Sequence, residues 1–153
     1  MRRQLWSQQV KKLFIVIVPL LLLLFSILPS DYVLVSGSSM LPTIQNGSLL
    51  SIEYRNSLSY GDVVVVKHQN RQLIKRLIGL PGDSIEIRNG EVIRNGLVMK
   101  EPYAWLDKSN VDCFVVPEGH LFILGDNRAN SKDSRQIGCI SIDTYQGTVI
   151  LTK

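Results

Sequence analysis

Ser84-Ile85-Glu86-Ile87-Arg88-Asn89-Gly90-Glu91-Val92-Ile93-Arg94 is a β-hairpin written in sequence. Apolar and polar residues alternate along the first arm, the period of a strand with one buried face. The arms meet at Asn89-Gly90, a pair favoured where both central residues of a two-residue turn need positive φ. A second Asn-Gly, Asn95-Gly96, leads into Leu97-Val98-Met99 and extends the meander. Upstream, Val63-Val64-Val65-Val66 is a continuous β-branched run, as in a strand buried on both faces. Residues 48–54 and 72–78 read as further strands, the latter ended by Leu80-Pro81-Gly82-Asp83. Downstream, residues 100–112 read as a loop, and 113–116, 120–124, 139–142 and 147–151 as strands. No helical periodicity of useful length follows residue 30, and no repeat is present. The expected fold is mostly β, with coiled or barrel-like antiparallel sheets.

The N-terminus has a different character. Leu13 to Leu28 carries no charge, while Arg2, Arg3, Lys11 and Lys12 precede it and no acid lies before Asp31. Setting those four cations aside leaves 13 basic and 13 acidic residues, so the net charge of +4 is a property of the tail. This bias speaks for membrane topology and against nucleic acid. Sixteen apolar residues give roughly 24 Å of helix, and Val10 and Tyr32-Val33-Leu34-Val35 can lengthen it. The exit Ile27-Leu28-Pro29-Ser30 lacks the small-x-small pattern of a cleaved signal. The reading is a cytoplasmic basic segment at 1–12, a transmembrane anchor at 13–30 and an extracytoplasmic β domain at 31–153.

Cys113 and Cys139 fall in that outside portion, where an oxidising compartment permits pairing; two small buried hydrophobes are the rival reading. His68 and His120 belong to no Ser-His-Asp motif and read as surface or turn residues.

Three segments carry chemistry. Ser36-Gly37-Ser38-Ser39-Met40-Leu41-Pro42-Thr43 offers hydroxyls beside a proline that fixes the local backbone. Composition does not say which serine would act, and a plain connector is the bland alternative. Leu73-Ile74-Lys75-Arg76-Leu77-Ile78 places one cation on each face of an apolar strand. Arginine keeps its proton at working pH, so only Lys75 could serve as a base. That would take a pKa drop from ~10.4 to about 7–8, roughly 4 kcal/mol imposed by apolar burial. Periodicity alone leaves open which face is inside. Gly125-Asp126-Asn127-Arg128-Ala129-Asn130-Ser131-Lys132-Asp133-Ser134-Arg135 is either a solvated turn or an ion network that fixes a loop.

Together with Gly61-Asp62-Val63-Val64-Val65 and Lys75-Arg76-x-x-Gly79-Leu80-Pro81-Gly82-Asp83, these boxes resemble the bacterial type I signal peptidases, membrane-anchored Ser/Lys endopeptidases. The boxes stand in the family's order behind a single anchor and cover most of the chain. The resemblance implies Ser39 as nucleophile and Lys75 as base. It implies Ser131 as the hydroxyl that contacts the lysine, and Asp133 and Arg135 as the braces of the site. Gly37 stands where some relatives carry an oxyanion-donating serine, so it could help only through its backbone. Ala129 stands where an aspartate is frequent. Val33, Val35, Met40, Leu73 and Ile74 are implied as walls of shallow substrate pockets.

The implied function is removal of N-terminal signal peptides from secreted precursors at the bacterial plasma membrane, with no metal and no cofactor. Implied partners are signal-peptide-bearing precursors, the lipid bilayer and the secretion translocon; nucleic acid is not among them. The alternatives are a Ser/Lys processing peptidase with a narrow client, as in conjugation or pilin maturation, and a non-catalytic tethered domain that binds extended peptides. A self-cleaving repressor would carry a DNA-binding module and a soluble N-terminus, and the apolar run opposes that.

Overall fold

The computed structural model describes residues 13–20 and 31–151. The chain divides into two compact units, 1–30 and 31–153. In the first, residues 13–20 are helical; the expected basic segment at 1–12 and the rest of the expected anchor, 21–30, lie outside the described residues. Among the described residues no helix is long and apolar enough to cross a membrane.

The second unit is built from eleven strands: β1 (Asp31–Leu34), β2 (Leu49–Glu53), β3 (Val63–His68), β4 (Arg71–Gly79), β5 (Ser84–Arg88), β6 (Glu91–Arg94), β7 (Leu97–Val98), β8 (Val111–Val115), β9 (His120–Leu124), β10 (Ile140–Ser141) and β11 (Tyr145–Val149). Every pairing is antiparallel. One sheet runs β1-β2-β11-β3-β4-β9-β10, the other β7-β6-β5-β8. One short helix, α1 (Ser134–Ile137), and 3-10 turns at Arg128–Asn130 and Ile142–Thr144 complete the described part of this unit.

The hairpin forms as its turn residues dictate. Asn89 and Gly90 take φ of 49° and 87°, and β5 pairs β6 from Ile85↔Arg94 to Arg88↔Glu91. The β-branched run becomes β3, whose two faces feed different cores: Val63 and Val65 join Val33, Met40 and Ile52, whereas Val64 and Val66 join Leu77, Leu121 and Ile123. A third cluster, with Ile85, Ile87 and Phe122, fills the space under the smaller sheet.

Several boundaries differ from the sequence reading. Tyr32–Leu34, read as a possible extension of the apolar span, lies in β1 and pairs with β2. Its alternation of exposed and buried residues is that of a sheet edge. β8 starts at Val111, inside the expected loop, because Ile87 offers that residue a pairing partner. The last strands begin and end about the expected places but are split by the 3-10 turn. Both cysteines are free thiols. Phe114 packs in the same cluster as Cys139, and strand alternation turns the neighbouring Cys113 the other way, where it is exposed.

Sheet order makes a site. β1 and β4 are separated by β2, β11 and β3, yet Val33 and Ile74 share one core cluster. The sheet therefore curls until the free edge of β1 faces the first half of β4. That half has β3 on one side only, because pairing with β9 begins at Arg76.

Candidate active site

Ser39 follows β1 in a turn that β2 and the 125–130 segment hold in place. Val35 N–H bonds to the Ser48 carbonyl at 2.9 Å, and Asn127 N–H to the Ser39 carbonyl at 3.0 Å. Asn127 Nδ2 also donates to the Ser38 carbonyl at 3.2 Å. Gly125 lies so close that a Cβ on it would come within 2.2 Å of Ser131 Oγ and 2.6 Å of the Ser39 carbonyl oxygen. Only glycine fits there.

Lys75 lies on β4 opposite Val64, which is fully buried. Its Nζ is 2.7 Å from Ser39 Oγ and 3.0 Å from the Ile74 carbonyl oxygen. Lys75 is 4% exposed, and among the described residues no carboxylate forms a salt bridge with it. Burial holds its pKa below the ordinary lysine value, against the opposing pull of the Asp133 and Asp126 charges. Of the three candidate serines, Ser39 is the one bonded to the amine; Ser38 Oγ accepts from Asn130 Nδ2 at 2.9 Å instead, and Ser36 lines the adjoining cleft.

Arg76 points to the other face of β4 and is also buried, at 6% exposure. It is satisfied by Asp126, with Nε and Nη2 at 2.8 and 2.6 Å from the two carboxylate oxygens. Thr43 Oγ1 donates to the same carboxylate at 2.5 Å, so the serine segment, β4 and the 125–135 segment meet at one acid. Sequence reading offered Asp126 a place in an ion network of the 125–135 segment but gave Arg76, Thr43 and Asn127 no part in it. The signal was two adjacent cations in an apolar strand: both can be buried if the second finds its own acid.

Asp133 is fully buried. Its Oδ2 accepts the Gly125 N–H at 2.9 Å, its Oδ1 accepts from Arg135 Nε at 2.8 Å, and it caps α1. Ser131 sits against Gly125, but its Oγ has no hydrogen-bond partner among the described residues, so the expected bond to the lysine amine is not formed here. Gly37 lines the cleft, and its N–H donates to Asn46 Oδ1 at 2.8 Å.

A second layer escaped sequence reading altogether. Residues 101–107 lie across the 125–135 segment as a strap, and alternate strap residues each meet it or Arg76. Glu101 bonds Arg128 Nη2 at 2.8 Å. The Tyr103 ring lies 3.9 Å under the Arg76 guanidinium. The Trp105 N–H bonds the Asp126 carbonyl at 2.8 Å, and Asp107 accepts from Arg135 Nη1 at 2.7 Å. Three buried arginines thus each have a partner on the strap.

Between β1 and β4 runs a cleft of about 370 Å³. Val33, Leu73 and Ile74 line it, as do Ser39 and Lys75. Val35 and Met40, expected as walls, are 5% and 2% exposed and belong to the core beneath it.

An antiparallel β scaffold that holds a serine hydroxyl against a desolvated amine at the end of an open cleft has the build of a serine peptidase. The sequence matches the family described as signal peptidase, peptidase S26, over residues 6–152. Similar chains include signal peptidase I P of Bacillus subtilis subsp. natto, 35% identical over 90% of this chain and 83% of the relative. Signal peptidase I T of Bacillus subtilis strain 168 is likewise 35% identical, over 88% and 79%. The crystal structure of a signal peptidase I from Enterococcus faecalis V583 superposes with a TM-score of 0.54 at 29% identity, covering 62% of this chain and 98% of that one. The chain belongs to the signal peptidase family, S26, and is a serine endopeptidase.

Proposed function

We propose that the protein removes signal peptides from secreted precursors at a membrane surface, with Ser39 as nucleophile and Lys75 as general base. The observation that carries this reading is the 2.7 Å approach of Lys75 Nζ to Ser39 Oγ in a buried setting. The precursor lies extended between the free edges of β1 and β4, adding backbone hydrogen bonds to both. Small side chains before the cut enter the cleft beside Val33, Leu73 and Ile74.

Uncharged Lys75 takes the Ser39 proton as Oγ attacks the scissile carbonyl carbon. The Ser39 N–H, which has no acceptor among the described residues, stabilises the oxyanion. Lys75 returns its proton to the leaving amine. Water, deprotonated by the same amine, then opens the acyl ester and restores Ser39. Asp133 and Arg135 hold the 125–135 segment, and Ser131 closes the wall behind Ser39.

The N-terminal segment fits an anchor. Leu13, Phe14, Ile15 and Val16 are each at least 59% exposed on a helical stretch, a surface suited to lipid and not to water. The four preceding cations would keep that end in the cytoplasm and place residues 31–153 outside.

The test uses the full chain in detergent micelles with a labelled secretory precursor. Wild type should release the signal peptide, while Ser39→Ala and Lys75→Ala should each lose cleavage by at least about 10³-fold and remain folded. Retained cleavage in either variant refutes the pair.

A further inference from the structure

The candidate substrate cleft does not end at Leu73. A second cleft, about 480 Å³, continues past it and is lined by His68, Gln69, Arg71, Leu73, Lys132 and Ile137. Leu73 and Lys132 belong to both. Among the described residues, no acidic one lines either cleft. Among the described residues, none of His68, Arg71 and Lys132 forms a salt bridge.

The cations are placed by backbone geometry. His68 and Arg71 are cross-strand partners that close the β3–β4 hairpin, so their side chains share a face. The two-residue turn between them, Gln69-Asn70, takes φ of 45° and 63°. Such a turn fixes the strand register. On β4 the residues Arg71, Leu73 and Lys75 alternate onto that same face. Arg71 therefore lies four residues, about 13 Å, behind the amine along the line an extended peptide would follow. Lys132, which lines both clefts, comes from the separate 125–135 segment.

We propose that this second cleft is a specificity subsite for an acidic side chain of the precursor, about the fifth residue before the cut. This rests on the reading above, with the peptide aligned along β4 so that its first, third and fifth residues before the cut pass Lys75, Leu73 and Arg71. A carboxylate there meets the Arg71 guanidinium and the Lys132 ammonium, with His68 also lining the cleft. A lysine there meets only like charge.

Three peptides identical except at that fifth position, carrying Asp, Asn or Lys, test the proposal. Their binding is measured on Ser39→Ala in non-ionic micelles, and their cleavage on wild type. Affinity should fall in the order Asp, Asn, Lys. The Asp peptide should lead Asn by about five-fold at low salt, the scale of a partly exposed ion pair, and the margin should shrink towards unity at about 1 M salt. Arg71→Glu should reverse the order. Equal binding of the Asp and Asn peptides, or an order unchanged in Arg71→Glu, overturns the subsite. So does an unchanged order accompanied by loss of binding to phosphatidylglycerol vesicles, which would assign the cations to lipid. Ordered binding to Ser39→Ala without cleavage of any peptide by wild type would leave the subsite standing and refute the proposed catalysis.

Discussion

Lys75 is buried where a charge is costly, and the base proposed here needs that cost. Its folded pKa is lowered and its unfolded value is the ordinary 10.5, so the unfolded chain binds the extra proton. The stability penalty is full below the folded pKa and fades as pH rises to the unfolded value. Stability should therefore increase with pH across that window, and Lys75→Met should lack the increase. Lys75→Met should also be inactive yet raise Tm near neutral pH by a few degrees, the shift that about 1 kcal/mol produces in a chain this size. Urea midpoints and melting curves at two pH values check both. Activity should climb with pH on a limb set by the same amine, because only its uncharged form can accept the Ser39 proton.

Gly125 is a second residue whose effect is local. A Cβ would strike Ser131 and the Ser39 carbonyl oxygen. Gly125→Ala should push the Ser39 segment away from the Lys75 amine and cut kcat by about 10²-fold, the scale of a misplacement near 1 Å. The chain should still fold, as circular dichroism and the melting curve will show.

Among the elements, the strap at 101–107 matters more than its loop-like sequence suggests. Side-chain exposures of 1% for Arg128 and 3% for Glu101 make theirs a pair in which losing one partner strands a buried charge. Glu101→Gln should cost about 3 kcal/mol. The pair between Arg88 and Glu86 lies at the surface, where the arginine is 70% exposed, and Glu86→Gln should cost less than about 1 kcal/mol. Denaturant midpoints of the two variants give the contrast directly. Tyr103 adds to the strap without charge: burial, its hydrogen bond with Tyr60 and the neighbouring Glu101 carboxylate hold its phenol far above the ordinary range. A neutral ring over Arg76 shields the Asp126 pair from water.

For the whole molecule, the chain divides at residue 30 into two compact units. Residues 31–153 alone should fold and cleave a soluble peptide as the full chain does. Their cleavage of a membrane-held precursor should fall on the order of 10²-fold, the loss expected when a shared surface no longer concentrates enzyme and substrate. Rates with vesicle-inserted precursor, full chain against 31–153, measure it.

Much of this was written in the sequence. Asn89-Gly90 and the Val63–Val66 run specify their strands through turn chemistry and side-chain branching, which act over a few residues. The order of boxes specifies the family. Residues 101–107 were opaque, because their alternation serves ion pairs with a segment some 25 residues away and leaves no apolar period to read. The partner of Gly37 was hidden for a similar reason: nothing local announces that Asn46 takes its N–H.

The sequence by itself determined a β unit behind an apolar N-terminus, and the residue types at its candidate site. Tertiary structure alone decided that the amine is dry, that it meets Ser39, and that Arg76 beside it is neutralised by Asp126. Desolvation and ion pairing depend on what surrounds a group in three dimensions, and the curl of one sheet brings together strands far apart in the chain.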